Sequence, residues 1–382
     1  MLAVSLAAFA ALCLLQPTPM ADILVYRAEG AAVANGSDLY GFTVTQWALP
    51  ATYPPFAAIL FVPATWVPVS VLKAAFVIGN AALLALLVHL SFRFAKVPAK
   101  PWLVLAATAV GLWLEPVFQT LLFGQINLAL ACLVLWDLSR PAGAVGKGFA
   151  LGIAAAVKLT PGIFVVYLLI TGRVREAGTA VASFVGATLL GVLVLPGASV
   201  EFWSRRIFET TRVGKAWIID NQSLQGLVAR LLSDPEPGPL WLAPAALLGA
   251  GGLWLARRAQ RTSEPWGVLV TALTALLVSP ISWSHHWVWC VPLLAVLIAE
   301  ERLKMAVLVL VVFMARSFWI MPHQGDLDLH YPWWLQPLAS PYALLALALP
   351  LVVAGRRRES VASMVPKPRG ADSEVGAGVL RG

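Results

Sequence analysis

The sequence predicts an all-α, polytopic membrane protein, and this prediction is based on the composition of the chain. Of its 382 residues, 59% are hydrophobic and only 12% are charged, with a mean hydropathy of +0.80. Soluble domains usually carry about 25% charged residues. The 16 tryptophans and 27 prolines fit interfacial belts and broken membrane helices. We therefore expect one integral membrane domain over residues 1–355, followed by a disordered cytoplasmic tail at 356–382.

Apolar runs long enough to approach a bilayer crossing, which takes about 20 residues, recur along the chain. The first is Leu2 to Leu15, which is short for a span and indicates that the natural chain starts further upstream. The others lie near 70–92, 102–116, 126–138, 178–196, 239–256, 266–283, 286–299, 304–320 and 340–354. Together these runs predict ten crossings.

Short basic clusters separate the apolar runs, and the positive-inside rule places all of them in the cytoplasm. The clusters are Arg93/Lys96/Lys100, Arg140/Lys147, Arg173/Arg175, Arg257/Arg258/Arg261, Arg302/Lys304 and Arg356/Arg357/Arg358. The second and third clusters share a side only if the chain between them enters the membrane and returns. Lys158-Leu-Thr-Pro161-Gly162 supplies the break, because proline disfavours helix before it. We predict a hairpin of two short helices near 147–172, which brings the total to about twelve helices; the alternative is a single span over 150–171.

The net charge of +8 does not indicate nucleic-acid binding, because the basic residues form clusters between apolar runs and no single patch. The three cysteines, Cys13, Cys132 and Cys290, are far apart and lack the spacing of a zinc site. We predict neither a bound metal nor a disulfide.

The segment after the first apolar run begins Asp22-Ile-Leu-Val-Tyr26-Arg27. Residues 22–34 are predicted to form a short interfacial helix with Tyr26 and Arg27 on related faces. Asp22 would start this helix. Its carboxylate suits either an N-cap or a catalytic base, and the sequence leaves both interpretations open.

A second group of polar residues lies at the end of two consecutive apolar runs, in Ser279 to Trp287, and includes Trp283, His285 and His286. Adjacent residues of a helix point about 100° apart, so the two imidazoles are not expected to bind one metal ion. Ionisable groups in membrane segments favour function over packing. We predict that one of the two histidines is functional, without choosing between them.

Several further residues suit either a lipid phosphate or the hydroxyls of a sugar. Lys158 lies at the apex of the predicted hairpin, where an ammonium group needs water, a partner or a phosphate. Arg205 and Arg206 belong to a basic loop at 197–238 on the predicted non-cytoplasmic side, where they either attract anionic headgroups or pair with nearby acidic residues. Four side-chain amides, which suit sugar hydroxyls but also cap helices and close turns, are those of Gln125, Asn127, Asn221 and Gln222.

Seven short motifs in this order resemble glycosyltransferase family 87. They are Asp22 to Tyr26, Asp38-Leu-Tyr40, Thr52-Tyr53-Pro54-Pro55-Phe56, Gly124-Gln125-Ile126-Asn127, Lys158-Leu-Thr160-Pro161, Asn221-Gln222-Ser223 and Ser279 to Trp287. The resemblance extends to about Gly355. It implies a GT-C fold and inverting transfer of mannose from polyprenyl-phosphate mannose to a lipid-linked mannoside, with an α-1,2 linkage.

The resemblance also implies a location and a set of roles. The enzyme would lie in the plasma membrane of an actinobacterium, with its site on the non-cytoplasmic face. Asp22 would be the base, assisted by His285 or His286, and no cofactor would be needed. Substrate contacts are predicted for the remaining site residues: Tyr26, Arg27, Tyr53, Gln125, Asn127, Lys158, Arg205, Arg206, Asn221, Gln222 and Trp283.

Two other classes of protein are alternatives to a glycosyltransferase. One is a non-catalytic lipid-binding scaffold. The other is a secondary transporter or flippase of a lipid-linked or anionic substrate, although a transporter usually shows an internal repeat.

Overall fold

Helices form almost all of the regular secondary structure. The computed structural model describes residues 1–15 and 20–348. Its α-helices are α1 (Leu2–Leu15), α2 (Ala21–Asn35), α3 (Pro55–Phe61), α4 (Val69–Phe94), α5 (Pro101–Gly111), α6 (Glu115–Phe123), α7 (Asn127–Ser139), α8 (Phe149–Val157), α9 (Ile163–Ile170), α10 (Val174–Val194), α11 (Pro196–Ser204), α12 (Leu224–Leu232), α13 (Pro239–Gln260), α14 (Glu264–Val278), α15 (Cys290–Ala299), α16 (Leu303–Met314) and α17 (Gln336–Ala339). Residues 341–348 are also helical. Two short strands, β1 (Thr43–Val44) and β2 (Leu49–Pro50), pair antiparallel.

The all-α prediction is confirmed, but the helices outnumber the twelve that were predicted. The additional helices, among them α3, α11, α12 and α17, are short and lie in the connections between the predicted crossings. For example, Ser223 caps the start of α12, and its hydroxyl accepts the backbone N–H of Gly226 at 3.2 Å. The short helix predicted at 22–34 is present as α2. The tail at 356–382 lies outside the described residues.

Among the described residues, four helical segments are long and apolar enough to cross a membrane: α4, α10, α13 and Leu303–Ile320, which contains α16. The pair α5 and α6 would add a fifth, although its axis bends by 77°. Most of the other predicted crossings coincide with apolar helices of 10–17 residues. The membrane domain thus combines a few full-length spans with shorter and broken helices.

The predicted cytoplasmic clusters that lie within the described residues meet at one end of the helix bundle, which we call the basic end. Arg356/Arg357/Arg358 lie outside those residues. Arg173 pairs with Glu176 (Nη2 to Oε2, 2.5 Å), and Lys147 Nζ lies 3.8 Å from the same carboxylate. Arg173 also pairs with Glu264 at 2.7 Å, which brings the turn between α13 and α14 to this end. Because Lys147 and Arg173 share Glu176, residues 147–172 enter the bundle and return. The predicted hairpin is confirmed, and the single span over 150–171 is wrong.

The hairpin consists of α8 and α9, and it is held firmly at its base. The carboxylate of Asp137 accepts the backbone N–H groups of Gly148 and Leu151 at 3.0 Å, which caps the start of α8. A Cβ atom at Gly152 would collide with the Ser183 hydroxyl, so glycine allows α8 and α10 to approach closely. The nine residues of α8 span about 14 Å, roughly half of a hydrocarbon core. The apex therefore lies well inside the bundle.

Candidate active site

A polar cleft of about 260 Å³ lies beside the hairpin apex, on the side away from the basic end. The start of α2, the apex and the loops at 49–54, 202–213 and 283–286 form its walls. Its polar side chains are Asp22, Thr52, Tyr53, Gln125, Lys158, Thr160, Arg206, Glu209, Thr210, Arg212, Trp283 and His286. The cleft therefore brings together residues from six separate stretches of sequence, many of which the motifs had singled out.

Asp22 lies in the first turn of α2 and faces the cleft. The residue at the N-cap position is Met20, with a left-handed backbone (φ 37°), so the N-cap interpretation of Asp22 is wrong. Although part of the carboxyl group reaches the cleft, burial by the surrounding protein raises its pKa to about 6. A hydrogen bond from Gln125 and the charge of Lys158 oppose this rise. Such a carboxylate is ionised at neutral pH and is still basic enough to accept a proton.

Gln125 connects Asp22 to two tyrosines. Its Oε1 atom accepts hydrogen bonds from the hydroxyls of Tyr26 (3.1 Å) and Tyr53 (3.4 Å). Because the amide oxygen is occupied in this way, the amide nitrogen is the atom that donates to Asp22. Tyr53 lines the cleft, whereas Tyr26 is only 1% exposed and stacks on Phe61 with 4.4 Å between ring centroids. Tyr26 therefore orients Gln125 from behind and is not brought into the cleft.

Lys158 follows the last residue of α8 and projects its ammonium group into the cleft. Its Nζ atom donates to Asn127 Oδ1 and contacts His286 Nε2, each at 3.1 Å. It also lies 5.6 Å from the centroid of the Tyr53 ring. An ammonium group can only donate, so Nε2 of His286 is unprotonated and the imidazole carries its proton on Nδ1. The cation is thus oriented by two neutral partners.

The structure distinguishes the two adjacent histidines. His286 lines the cleft, whereas His285 is buried and packs on Phe123, with ring centroids 5.8 Å apart. The backbone carbonyl of His285 accepts Asn127 Nδ2 at 3.0 Å and Thr120 Oγ1 at 3.2 Å. Residues 284–289 form a 3₁₀-helix, in which neighbouring side chains point about 120° apart. Of the two candidates, His286 is the residue placed to meet a substrate.

The arginines at positions 205 and 206 are both paired with carboxylates. Arg206 lines the cleft, and its guanidinium bonds Glu201 through Nε and Glu209 through Nη1, each at 2.7 Å. Arg205 is 67% exposed, pairs with Glu209 at 2.7 Å and is absent from the cleft lining. The structure therefore favours the ion-pair interpretation for both residues, although Arg206 still contributes to the wall.

Arg212 lines the cleft and was not selected from the sequence. It donates to the carbonyl oxygens of Tyr40 (2.6 Å) and Ala51 (3.3 Å) and forms no ion pair among the described residues. The guanidinium group has five N–H donors, so several stay available to a ligand. The only signal in the sequence was the excess of basic residues in the loop at 197–238, which does not single out one arginine.

Besides Tyr26 and Arg205, four predicted substrate-binding residues are bonded within the protein and do not line the cleft. One is Asn127, which bonds Lys158 and the carbonyl of His285, and the others are Arg27, Asn221 and Gln222. Arg27 donates to the carbonyls of Ala64 (2.7 Å) and Val67 (2.5 Å). Asn221 and Gln222 are fully buried. The structure therefore assigns these side chains to the packing of loops, in contrast with Trp283, which lines the cleft.

The bonds of Asn221 and Gln222 show what these amides do. Asn221 Nδ2 donates to the Pro280 carbonyl at 3.0 Å, and its Oδ1 accepts Ser282 N at 2.8 Å. Gln222 Nε2 donates to the carbonyl of Ala339 at 2.8 Å. Together they fix the segment that leads into His286.

Glu29 is a buried carboxyl group close to the site that sequence analysis missed. Its Oε1 atom accepts the backbone N–H of Thr52 at 3.3 Å, and Oε2 has no partner among the described residues. Burial raises its pKa to about 8. The i, i+4, i+7 spacing of Asp22, Tyr26 and Glu29 on one helix face was the signal that could have revealed it.

Within residues 1–15 and 20–348, no group of three His, Cys, Asp or Glu side chains is placed to hold a metal ion. The positive charges at the cleft are those of Lys158, Arg206 and Arg212. Independence from metals and cofactors stays a prediction of the family resemblance.

Sequence comparisons identify the class of this protein. The sequence model described as "Glycosyltransferase family 87" matches residues 51–280. One relative is the polyprenol-phosphate-mannose-dependent alpha-(1-2)-phosphatidylinositol mannoside mannosyltransferase of Mycobacterium tuberculosis (strain ATCC 25618 / H37Rv), 36% identical over 87% of this chain and 84% of that protein. The enzyme of the same name from Mycolicibacterium smegmatis is 35% identical, over 72% of this chain and 69% of that protein.

A third relative has a different acceptor in its name. It is the polyprenol-phosphate-mannose-dependent alpha-(1-2)-phosphatidylinositol pentamannoside mannosyltransferase of Mycobacterium tuberculosis (strain CDC 1551 / Oshkosh), 34% identical over 74% of this chain and 67% of that protein. Among solved structures, the chain is similar to the crystal structure of ArnT from Cupriavidus metallidurans bound to undecaprenyl phosphate, with a TM-score of 0.41, 17% identity, and coverage of 94% of this chain and 79% of that one.

The helical membrane architecture and the extent of the sequence match define an integral-membrane glycosyltransferase. The chain belongs to glycosyltransferase family 87. This membership decides against the secondary transporter and the flippase. Asp22 and His286 both lie outside the matched range of residues 51–280, so their roles depend on the geometry of the cleft.

Proposed function

We propose that this protein transfers mannose from polyprenol-phosphate mannose to a phosphatidylinositol mannoside, with an α-1,2 linkage and inversion at the anomeric carbon. The names of three relatives support the donor, the acceptor and the linkage. The observation that carries the chemistry is the Asp22 carboxylate, which shares a cleft with Lys158, Arg212 and His286. A base and phosphate-binding cations in one cleft are what a one-step transfer from a phosphate ester requires.

The proton of the acceptor goes to Asp22. The attacking hydroxyl oxygen forms a bond to the anomeric carbon of mannose while its proton passes to the carboxylate. Gln125 holds the carboxylate by one hydrogen bond, which fixes its direction and leaves lone pairs for the acceptor. A single in-line displacement of a β-linked phosphomannose gives an α-linked product.

The leaving group is polyprenyl phosphate. The bond between the anomeric carbon and the phosphate oxygen breaks, and the electron pair stays on that oxygen. No general acid is needed, because the phosphate is already a stable anion. Lys158 and Arg212 stabilise the added negative charge, and His286 offers the Nδ1 proton as a further donor. Cationic side chains can supply this stabilisation without a bound metal, so we propose a metal-independent reaction.

The arrangement of charge supports a non-cytoplasmic site. The basic end holds clusters that the positive-inside rule places in the cytoplasm, and Lys158 lies at the far end of the hairpin that starts there. We therefore propose that the cleft opens toward the non-cytoplasmic face of an actinobacterial plasma membrane. The isoprenoid chain of the donor lies against apolar helices, beside the rigid Pro54–Pro55 edge of the cleft.

The proposal is tested with purified protein in lipid, radiolabelled polyprenol-phosphate mannose and a phosphatidylinositol mannoside acceptor. We expect a radiolabelled lipid product that an α-1,2-specific mannosidase converts back to free mannose. The matched control replaces the donor by polyprenol-phosphate glucose, which should give no product. Transfer of glucose at the same rate, or a product that resists the mannosidase, would refute the proposed sugar or linkage.

A further inference from the structure

A second polar cavity lies at the basic end, away from the cleft. It encloses about 510 Å³ between the last residues of α4, the turn joining α13 to α14 and the end of α15. The charged side chains in its lining are Arg93, Lys96, Arg261, Glu264 and Glu300. None of them takes part in the proposed transfer reaction.

The two carboxylates of this cavity are already bonded to other groups. Glu264 pairs with Arg173 at 2.7 Å, and Glu300 accepts the indole N–H of Trp266 at 2.8 Å. The three cations are exposed, and none of them forms an ion pair within the described part of the chain. The cavity therefore presents three exposed cations against two carboxylates, which leaves its lining with a net charge of +1.

The backbone supports a role for one of these cations. Lys96 adopts a left-handed conformation (φ 59°) just after α4, a position at which glycine is the usual residue. The bond from Val97 N to the Phe92 carbonyl, at 2.8 Å, closes the helix around it. A lysine is less favourable here than glycine would be, yet it directs a cation into the cavity.

The position of the cavity along the spans indicates the kind of anion. The apolar spans α4 and α13 end at Phe94 and Gln260, and the cavity is lined by the residues at and beyond those ends. The ends of apolar spans mark the boundary between hydrocarbon and headgroups, where the phosphates of phospholipids lie. Basic pockets between helices at this level attract anionic headgroups.

We propose that the cavity binds the headgroup of an anionic phospholipid, with Arg93, Lys96 and Arg261 contacting its phosphate. A lipid bound there contacts α4, the α13–α14 turn and α15 at once, and therefore holds these three helix ends together. The site is separate from the cleft and does not depend on the identity of the sugar or the acceptor.

The test uses the purified full-length protein in detergent, titrated with phosphatidylglycerol or phosphatidylcholine and followed by native mass spectrometry. The cavity variant is Arg93→Gln/Lys96→Gln/Arg261→Gln. Its matched control is Lys100→Gln/Arg257→Gln/Lys304→Gln, which removes three exposed charges from the same end without touching the cavity lining. Each cation near an anionic group contributes roughly 1 kcal/mol, so three correspond to about 100-fold in affinity.

We expect wild type to prefer phosphatidylglycerol to phosphatidylcholine, the cavity variant to lose that preference by about 100-fold, and the control variant to retain it. Equal losses in both variants would overturn the proposal, because they would show a general effect of surface charge. Thermal unfolding checks that the variants fold. Lys96→Gln alone, at an exposed position, should weaken phosphatidylglycerol binding by about fivefold, and an unchanged affinity would also count against the site.

A competition experiment distinguishes a site for a lipid headgroup from a site for free phosphate. Glycerol phosphate is added in excess to the complex with phosphatidylglycerol. Retention of the lipid supports the proposal, since the headgroup is held at the level of the bilayer with its chains anchored beside it. Complete displacement would overturn it in favour of a site for soluble phosphate.

Discussion

Lys158 and His286 lie in contact, with Nζ 3.1 Å from Nε2, although 128 residues separate them in the sequence. The contact joins the apex of the α8–α9 hairpin to the 3₁₀-helix at 284–289. Asn127 adds a third segment, because it accepts from Lys158 and donates to the carbonyl of His285. The orientation of the cation in the cleft therefore depends on all three segments.

We expect the two adjacent histidines to respond differently to substitution. His286→Ala should lower kcat/KM for mannose transfer by about 10- to 100-fold, because it removes an oriented donor and a partner of Lys158. His285→Ala should lower the temperature of unfolding and change kcat/KM less, since its side chain is buried. Transfer assays and thermal unfolding of both variants test whether the two histidines differ in this way. Equal losses of kcat/KM with unchanged unfolding would contradict the assignment.

Asp22→Asn should reduce transfer by about 100- to 10,000-fold, because an amide cannot accept the proton of the acceptor hydroxyl. Binding of the donor should be preserved, as asparagine has nearly the same shape and Lys158 retains its other partners. The measurements are the single-turnover rate and the affinity for polyprenol-phosphate mannose. Arg205→Gln, at an exposed position outside the cleft, is the matched control and should transfer at the wild-type rate. Unchanged transfer by Asp22→Asn would remove Asp22 from the chemistry.

The rate should also depend on pH in a direction fixed by Asp22. Its raised pKa is about 6, so kcat/KM should fall as the pH is lowered through that value and the base becomes protonated. The charge of Lys158 lowers this pKa. Lys158→Gln should therefore move the acidic limb to higher pH, whereas Arg205→Gln should leave it in place. A limb that stays at the same pH in Lys158→Gln would show that another group controls it.

Gln222→Ala should affect stability and leave substrate affinity unchanged. The side chain donates to the carbonyls of Ile219 and Ala339 at 2.8 Å and accepts from Tyr342 N at 3.2 Å. Losing these buried bonds should cost about 1–3 kcal/mol in the free energy of unfolding. Gln324→Ala, at an exposed position, is the control and should be neutral. A raised KM for the donor with no loss of stability would instead favour the sugar-binding role predicted from the sequence.

Glu29→Gln should stabilise the protein at neutral pH. The folded-state pKa of Glu29 is about 8, above its ordinary value of 4.5, so the folded protein holds a proton that the unfolded chain releases. Stability from this group is therefore present below about pH 4.5 and declines as the pH rises to about 8. The advantage of Glu29→Gln should grow over that window and then level off, as measured by unfolding at several pH values. A constant difference across the window would contradict the buried, protonated carboxyl.

The parts of the structure that sequence analysis predicted correctly depend on local features or on charge counting. The hairpin followed from the requirement that Lys147 and Arg173 share a side, together with the break at Pro161. The helix containing Asp22 followed from its polar and apolar pattern. These properties are contained in short stretches of the chain, so no knowledge of distant contacts was needed.

The remaining features depend on contacts between distant segments. Asn221 is bonded to Pro280 and Ser282, about 60 residues further along the chain, and no pattern in its own motif reveals that. The choice between His285 and His286 depends on a 3₁₀ turn, which the sequence did not distinguish from an α-helix. Arg206 pairs with Glu201 and Glu209, whereas Arg212 has no carboxylate partner among the described residues. The sequence of the loop does not show which arginine these two carboxylates bind.

The hairpin has a further consequence for how a lipid donor reaches the enzyme. Because α8 is only nine residues long, it brings Lys158 to an intermediate depth. A full-length span would have carried the ammonium group to the aqueous surface. At intermediate depth, the cation lies below the level of the headgroup phosphates, so the donor phosphate must enter the cleft to reach it while the isoprenoid chain stays among the apolar helices. Each residue inserted into α8 would displace that meeting point by about 1.5 Å, which makes the length of this helix a determinant of substrate access.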